Sequence, residues 1–424
     1  MSVLTLAALT ALEILDSRGR PTLAVTVTCS DGRQARAGVP AGASTGSREA
    51  VELRDGDPTR YSGAGVLRAV DSVNHEIAAA LIGTPWRALV EVDEALCELD
   101  GTADKGRLGA NAIVGTSMAV ARAFAALSGR QLHEYLAPPG VSPRLPVPHF
   151  NVVNGGAHAA NPLDFQEFMI APLGAPSLAE AIRAGAEVYA ALRKRLAAGG
   201  HATGLGDEGG FAPQLTTPRE VLRLITGAIE DAGYSAGRTG LAIALDPAAS
   251  EFWHADGRYE VAGERLSSSE LVELYAELVS EFPIWSIEDG VAEQDDAGWL
   301  ALTSRLGEKI QLVGDDNFVT NPDLIAAAIS AGVGNAALIK LNQIGTVTET
   351  LEAMRLCRDA GYGQMVSHRS GETGDTFIAD LAVGTGCGQL KAGAPARGER
   401  VAKYNRLMEI EAEVSGLPYG LPAP

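Results

Sequence analysis

Cysteine is scarce in this 424-residue chain and is never paired: Cys29, Cys97, Cys357 and Cys387 lie far apart and form no CxxC motif. That argues against a zinc site or a disulfide framework and fits a reducing cytoplasm. Cys387 follows an apolar run and reads as a buried, inert thiol. No window approaches the roughly 18 uninterrupted apolar residues of a membrane span. The N-terminal MSVLTLAALTALEILDSRG lacks a basic region and meets Glu13 and Asp16 too early for a signal peptide. Basic residues are outnumbered 34 to 53, for a net charge of -19. That balance discourages direct nucleic-acid binding, because Lys and Arg hold phosphate backbones. It leaves room for a small anionic substrate, which needs only a local cationic pocket or a bound metal. No GxxxxGK[ST] nucleotide-binding loop is present, and no GxGxxG follows a strand and opens a helix.

What is present suffices for a sizeable core, since 46% of residues are hydrophobic although aromatics reach only 5%. The length suggests more than one domain. The first 40 residues read as strands: TLAVTVTCS alternates, and Asp31-Gly32 signals a hairpin before RQARAGVP. Three helical patterns follow, GVLRAVDSVNHEIAAALIG, WRALVEVDEALCEL and ANAIVGTSMAVARAFAALSG, so residues 1–136 form a compact α+β unit. APPGVSPRLPVP, residues 137–148, holds five prolines and reads as a linker.

From 149 to 424 the order changes to strand, helix, strand, helix. Short apolar runs close on Asp246, Glu288, Asp315, Lys340, His368 and Lys391, at intervals of 23 to 42 residues. Near-continuous apolar strands alternating with helices predict a parallel sheet, and about eight such units predict a closed α/β barrel. Six successive strands ending in titratable residues place the chemistry on the C-terminal rim.

Asp246, Glu288 and Asp315 on one rim repel unless a cation sits between them, and hard oxygen donors favour magnesium or manganese. Each alone could equally cap the next helix. Lys340 and Lys391 share the rim, where each other's charge and a cation's would lower a lysine pKa and make a usable base. Alone, either reads better as an ion-pair partner. In SHRSGETGD, Arg369 and Ser370 suit a phosphate or carboxylate, although an Arg pairing with Asp375 is a reasonable alternative. GLGDEGGFAP surrounds Asp207 and Glu208 with four glycines, either a plain turn or a loop carrying a proton donor. VPAGASTG and NVVNGGAHAANP are similar small-residue loops, of lid-like composition shared by ordinary loops.

Taken in order, ILDSRGRPT, VPAGASTG, LGANAI, NVVNGGAHA, QEFMIAP, GDEGGFAP, LDPAASEF, SIED, VGDDNFVTNP, LIKLNQIGT, SHRSGETGDT and KAGAPARGERVAKYN resemble the enolase family nearly end to end. The resemblance implies a smaller N-terminal α+β domain and an α/β, (β/α)8-like barrel of the enolase type with irregular first units. It implies magnesium-dependent dehydration of 2-phosphoglycerate to phosphoenolpyruvate. Asp246, Glu288 and Asp315 match the ligands of a first magnesium, and Ser44 a residue closing over a second that binds with substrate. Lys340 matches the base at C2, and Glu208 the acid at the C3 hydroxyl. Arg369 and Ser370 match phosphate contacts, Lys391 a neighbour of the substrate carboxylate, and His158, Gln166 and Glu167 further active-site positions.

For Glu208 to stay protonated near neutrality, Asp207 and Glu167 are expected to raise its pKa. The resemblance also implies a homo-oligomer, at least a dimer and in some members an octamer. Relatives with added roles on cell surfaces or in assemblies make a moonlighting copy the alternative. The pattern departs at Arg20, Ala41, Pro247, Gly290 and Gly398, and His149-Phe150 replaces an aliphatic pair. None of these removes an assigned group.

Overall fold

A computed structural model of the chain describes residues 3–43 and 46–422. The chain opens with β1 (Leu4–Leu15), β2 (Pro21–Cys29) and β3 (Gln34–Gly38), and later adds the short β4 (Pro85–Trp86). They form one antiparallel sheet in the order β3-β2-β1-β4. The β2–β3 turn falls at Asp31-Gly32 as the sequence predicts, with Gly32 at φ +85°. Three helical stretches cover the sheet, over residues 67–81, 89–100 and 110–127. The stretch Ala110–Leu127 is long and apolar enough to cross a membrane by composition alone, but 83% of it is buried inside the fold. It is a core helix. Its Gly115 lets it sit close on the sheet, since a Cβ there would stand 2.7 Å from Val25 and 2.8 Å from Val39.

The second unit is a closed eight-stranded barrel. Its strands are β5 (Val147–Asn154), β6 (Glu167–Ala171), β7 (Ala242–Asp246), β10 (Ile284–Glu288), β11 (Gln311–Gly314), β12 (Ala336–Ile339), β13 (Gly363–Ser367) and β14 (Gln389–Lys391). An outer hairpin, β8 (Tyr259–Val261) with β9 (Glu264–Leu266), precedes β10. Around the barrel, neighbours run β10-β11-β12-β13-β14-β5-β6-β7. β5 begins at Val147, inside the proline-rich segment.

One expectation needs correction. The sheet is not uniformly parallel: β6 pairs antiparallel with both β5 and β7. Residues 155–166 contain only a single 3-10 turn, so no crossover helix carries the chain back to the start of the next strand. Two strands in succession are then followed by two helices, Leu178–Ala198 and Pro218–Asp231, before regular alternation starts. The reversal matters for chemistry. It brings the first residue of β6, Glu167, beside Asn154 and Asp246, the last residues of its neighbours.

Candidate active site

The predicted rim residues are where a barrel needs them. Asp246, Glu288 and Lys391 are the last residues of β7, β10 and β14, while Asp315, Lys340 and His368 immediately follow β11, β12 and β13. His158, Gln166, Glu167, Glu208, Asp246, Lys340, Arg369, Ser370 and Lys391 line one cavity of about 20 Å³. Glu288 and Asp315 stand beside it, each ion-paired to a lysine that lines it. Ser44 lies outside the described residues. A larger space of about 650 Å³ lies on the outer face between Pro218, Leu266 and Leu274, away from every rim residue.

One end of the cavity is built on Lys391. Its Nζ donates to Glu288 Oε1 at 2.7 Å and to Glu167 Oε1 and Asp246 Oδ2 at 3.4 Å. One ammonium is thus shared by three buried carboxylates. Burial, with their mutual repulsion, pushes Glu167 and Glu288 well above the usual carboxylate range. Burial works against the Lys391 charge, but Glu167, Glu288 and Asp246 outweigh it and hold the pKa well above normal.

Asp315 accepts from Lys340 Nζ and, at 2.8 Å, from Gln343 Nε2. Its own amide and that of Asp316 donate to the carboxylate of Asp289 at 2.8 and 2.9 Å. Asp289 sits at φ +42°, a strained conformation for a non-glycine residue. Those two bonds stitch the ends of β10 and β11 together. The expected lowering of the Lys340 pKa is not found: burial does lower it, but the charge of Asp315 outweighs burial and raises it.

The donor set passes a simple test for a hard divalent cation. It consists of carboxylate and amide oxygens, and Glu167 Oε2, Glu288 Oε2 and Gln166 Oε1 are buried without a hydrogen-bond partner. Among the described residues, two acidic sets bring one donor atom each within 4.8 Å: His158, Glu167 and Glu208, and Asp289, Asp315 and Asp316. Asp246, Glu288 and Asp315 share the rim but do not form such a set, since the lysines stand among them.

The other end is built on Glu208. Asn151 Nδ2 donates to its Oε2 at 3.0 Å, and His368 Nε2 stands 3.1 Å from the same oxygen. His158 Nδ1 lies 3.7 Å from Glu208 Oε1 and 3.7 Å from Glu167 Oε1. The glycine-rich loop turns at Gly209, φ +86°, and Ala394 N donates to Glu208 O at 3.0 Å, which fixes Glu208 at the cavity. The expectation that neighbours raise the Glu208 pKa is overturned. Burial does raise it, but His368, His158 and Arg400 outweigh burial and hold it well below the usual range. The two carboxyls flanking His158 are thus pushed in opposite directions, Glu167 up and Glu208 down.

Arg369 presents its fork to Glu49, at 3.0 and 3.1 Å, and also donates to Asn342 Oδ1 at 2.9 Å. Ser370 Oγ accepts from Arg18 Nη1 at 3.2 Å. Sequence reading missed Glu49, Asn151, Asp289 and Gln343. Asn151 and Asp289 lay within quoted motifs, but only tertiary pairing gives them partners.

The departures in sequence are absorbed by backbone. Ala41 exchanges amide bonds of 2.8 Å with Gly371, which need no hydroxyl. Arg20 uses its amide on Asp16, 2.9 Å away, and exposes its side chain. After Pro247 the chain turns at Ala248, φ +51°, whose amide donates to Asp246 Oδ1 at 3.0 Å. A Cβ at Gly290 would come within 2.9 Å of Leu302, whereas one at Gly398 would meet nothing within 4 Å.

Fold and site together define an α/β-barrel enzyme whose C-terminal rim carries titratable groups and acidic clusters consistent with metal binding. Residues 6–136 match the family described as "Enolase, N-terminal domain", and residues 142–418 the one described as "Enolase, C-terminal TIM barrel domain". A curated protein named "Enolase" from Rubrobacter xylanophilus is 57% identical over 404 residues, covering 94% of this chain and 93% of its own length. The chain belongs to the enolase family, whose members are hydro-lyases.

Proposed function

We propose that this cavity removes water from 2-phosphoglycerate to give phosphoenolpyruvate, with Lys340 as the base at C2 and Glu208 as the acid at the C3 hydroxyl. The observation that carries the reading is one cavity lined by lysines and by a carboxyl beside imidazoles, with further carboxylates between them. A C2 proton next to a carboxylate is hard to remove, because the product of its removal is a dianion. Asp246, Glu288 and Asp315 would hold a magnesium ion, and Ser44 would complete the site of a second; bound there, the ions would supply positive charge against that dianion. Lys391 adds its own. A lysine base working beside one or two magnesium ions is the general pattern of enolase-superfamily sites.

Lys340 works as a free amine only when the charge of Asp315 is engaged elsewhere, since Asp315 raises its pKa. His158 Nδ1 lies between the two carboxyls, 3.7 Å from Glu167 Oε1 and 3.7 Å from Glu208 Oε1. Gln166, which donates to Asp246 Oδ2 at 3.5 Å, orients that carboxylate. Arg369 and Ser370 take the phosphate, for which Glu49 must yield part of the guanidinium fork. Residues 1–136 act as the capping unit, 137–148 as the linker and 149–424 as the catalytic unit.

The family resemblance is what supports a homo-oligomer of at least two chains. Four free cysteines, three of them buried, support a cytoplasmic setting. The test is an absorbance assay for phosphoenolpyruvate with and without magnesium. Product only with the ion supports the reading, and no product in either condition overturns it.

A further inference from the structure

The last helix, Gly398–Glu413, buries Arg400, Lys403, Tyr404, Leu407 and Ile410, a three-and-four spacing that makes one inward stripe. Arg400 is on its first turn and is fully buried. A guanidinium has five N–H donors, no acceptor, and never loses its charge in a protein. Nη1 of Arg400 donates to His368 Nδ1 at 2.5 Å and to Arg369 O at 2.6 Å. Nη2 donates to Ser370 O at 2.6 Å, with Ser17 Oγ and Asp207 O at 3.3 Å.

The arginine dictates the histidine's tautomer. Because Arg400 can only donate, Nδ1 of His368 has to carry the lone pair. Burial holds this imidazole neutral, its pKa lowered to about 4. Its one ring proton is therefore on Nε2, which stands 3.1 Å from Glu208 Oε2. Asn151 donates to that same oxygen at 3.0 Å. Glu208 Oε2 thus accepts from Asn151 and has His368 Nε2 close by at 3.1 Å, although not aligned as a hydrogen bond, while Oε1 faces His158 and the cavity.

We propose that Arg400 is a positioning residue for the dehydration half of the reaction: by accepting nothing, it fixes His368 in the tautomer that turns its ring proton toward Glu208 Oε2 and leaves Oε1 facing the cavity. The proposal rests on the reading of Glu208 as the acid. Arg400 acts through an orienting partner, as outer hydrogen bonds do for metal-bound histidines. Among the described residues Lys340 shares no partner with Arg400; its Nζ bonds Asp315 and its amide bonds Thr320. Arg400 does hold the carbonyls of the phosphate contacts Arg369 and Ser370, so C2 exchange and dehydration are compared at saturating substrate, where a loss of binding alone drops out.

The test combines 15N NMR of the full-length protein labelled at histidine with two activity readouts. His368 is assigned among the seven histidines by the signal lost in His368→Gln. The expected spectrum at neutral pH has Nδ1 unprotonated and Nε2 protonated. Arg400→Gln can donate or accept, so the tautomer should become mixed and dehydration should fall by ~10–100-fold while C2 exchange in deuterated buffer persists. Arg400→Lys keeps a charged donor and should restore both the tautomer and most of the dehydration rate.

An Nδ1-protonated His368 in the unsubstituted protein overturns the proposal without any variant having to fold. So does an Arg400→Gln protein that loses dehydration and exchange equally while its tautomer stays fixed. A separate result marks failure of the underlying reading: Glu208→Gln retaining full dehydration removes the acid assignment, whatever the NMR shows.

Discussion

Charge is handled differently at the two ends of the cavity. Around Lys391, three carboxylates share one ammonium, and acceptor oxygens are left without partners. Around Glu208, a single carboxyl is met by an amide and two imidazoles, with a buried arginine behind them. Both ends are buried, so the contrast is not one of exposure. An excess of hard oxygen over positive charge suits a cation, whereas one carboxyl among near-neutral donors suits the movement of a proton.

The largest expected effect is at the Lys391 end. Chelation with EDTA should bring turnover to background, and added magnesium should restore it. The ion should also raise the melting temperature by mass action, since ligand at 100 times its Kd adds about 2.7 kcal/mol to stability. Full activity in excess EDTA would mean that this end is a closed ion-pair network, and the contrast with the Glu208 end would collapse.

The next effect separates base from acid. Glu208→Gln should slow dehydration by roughly 10²–10⁴-fold, the usual contribution of a general acid. C2 exchange, followed by loss of the C2 proton signal in deuterated buffer, should survive in that variant. Lys340→Ala should stop exchange and product formation together. The opposite pattern would exchange the two roles.

A smaller effect sharpens the comparison through stability. His149 lies opposite Lys391 in the β14–β5 register, packs 5.6 Å from the Trp285 ring, and is fully buried with Nε2 unpartnered. Burial lowers its pKa to about 3. The unfolded chain, with an ordinary histidine near 6.5, then binds more protons between those values. Stability is therefore lost as pH falls from about 6.5 towards 3. His149→Leu should remove that part of the slope, on the order of 1–3 kcal/mol at pH 4 relative to pH 7, with turnover little changed. Urea unfolding at the two pH values measures it, and an unchanged slope would place the acid sensitivity at the Glu208 end, with His368.

Much of this was legible because a barrel strand is a short apolar run and its catalytic residue interrupts that run. Asp246, Glu288, Asp315, Lys340, His368 and Lys391 all announce themselves in this way, and the rim positions follow from the fold class alone. The reversal of β6 was not legible. Its apolar run reads the same in either direction, and strand direction is set by which neighbours supply backbone partners. Glu49 and Arg400 were silent for a related reason. Glu49 meets Arg369 across 320 positions, and Arg400 meets His368 across 32, through backbone carbonyls and a ring nitrogen that no local pattern encodes.

The sequence by itself determined the family, the barrel and the set of chemical groups, because periodicity and motif order survive without coordinates. Protonation was decided only by the tertiary structure. Composition cannot say that Asp315 raises the Lys340 pKa, or that Glu167 and Glu208 are pushed in opposite directions. A pKa depends on burial and on charges a few ångströms away, and those distances exist only once the chain has closed the barrel.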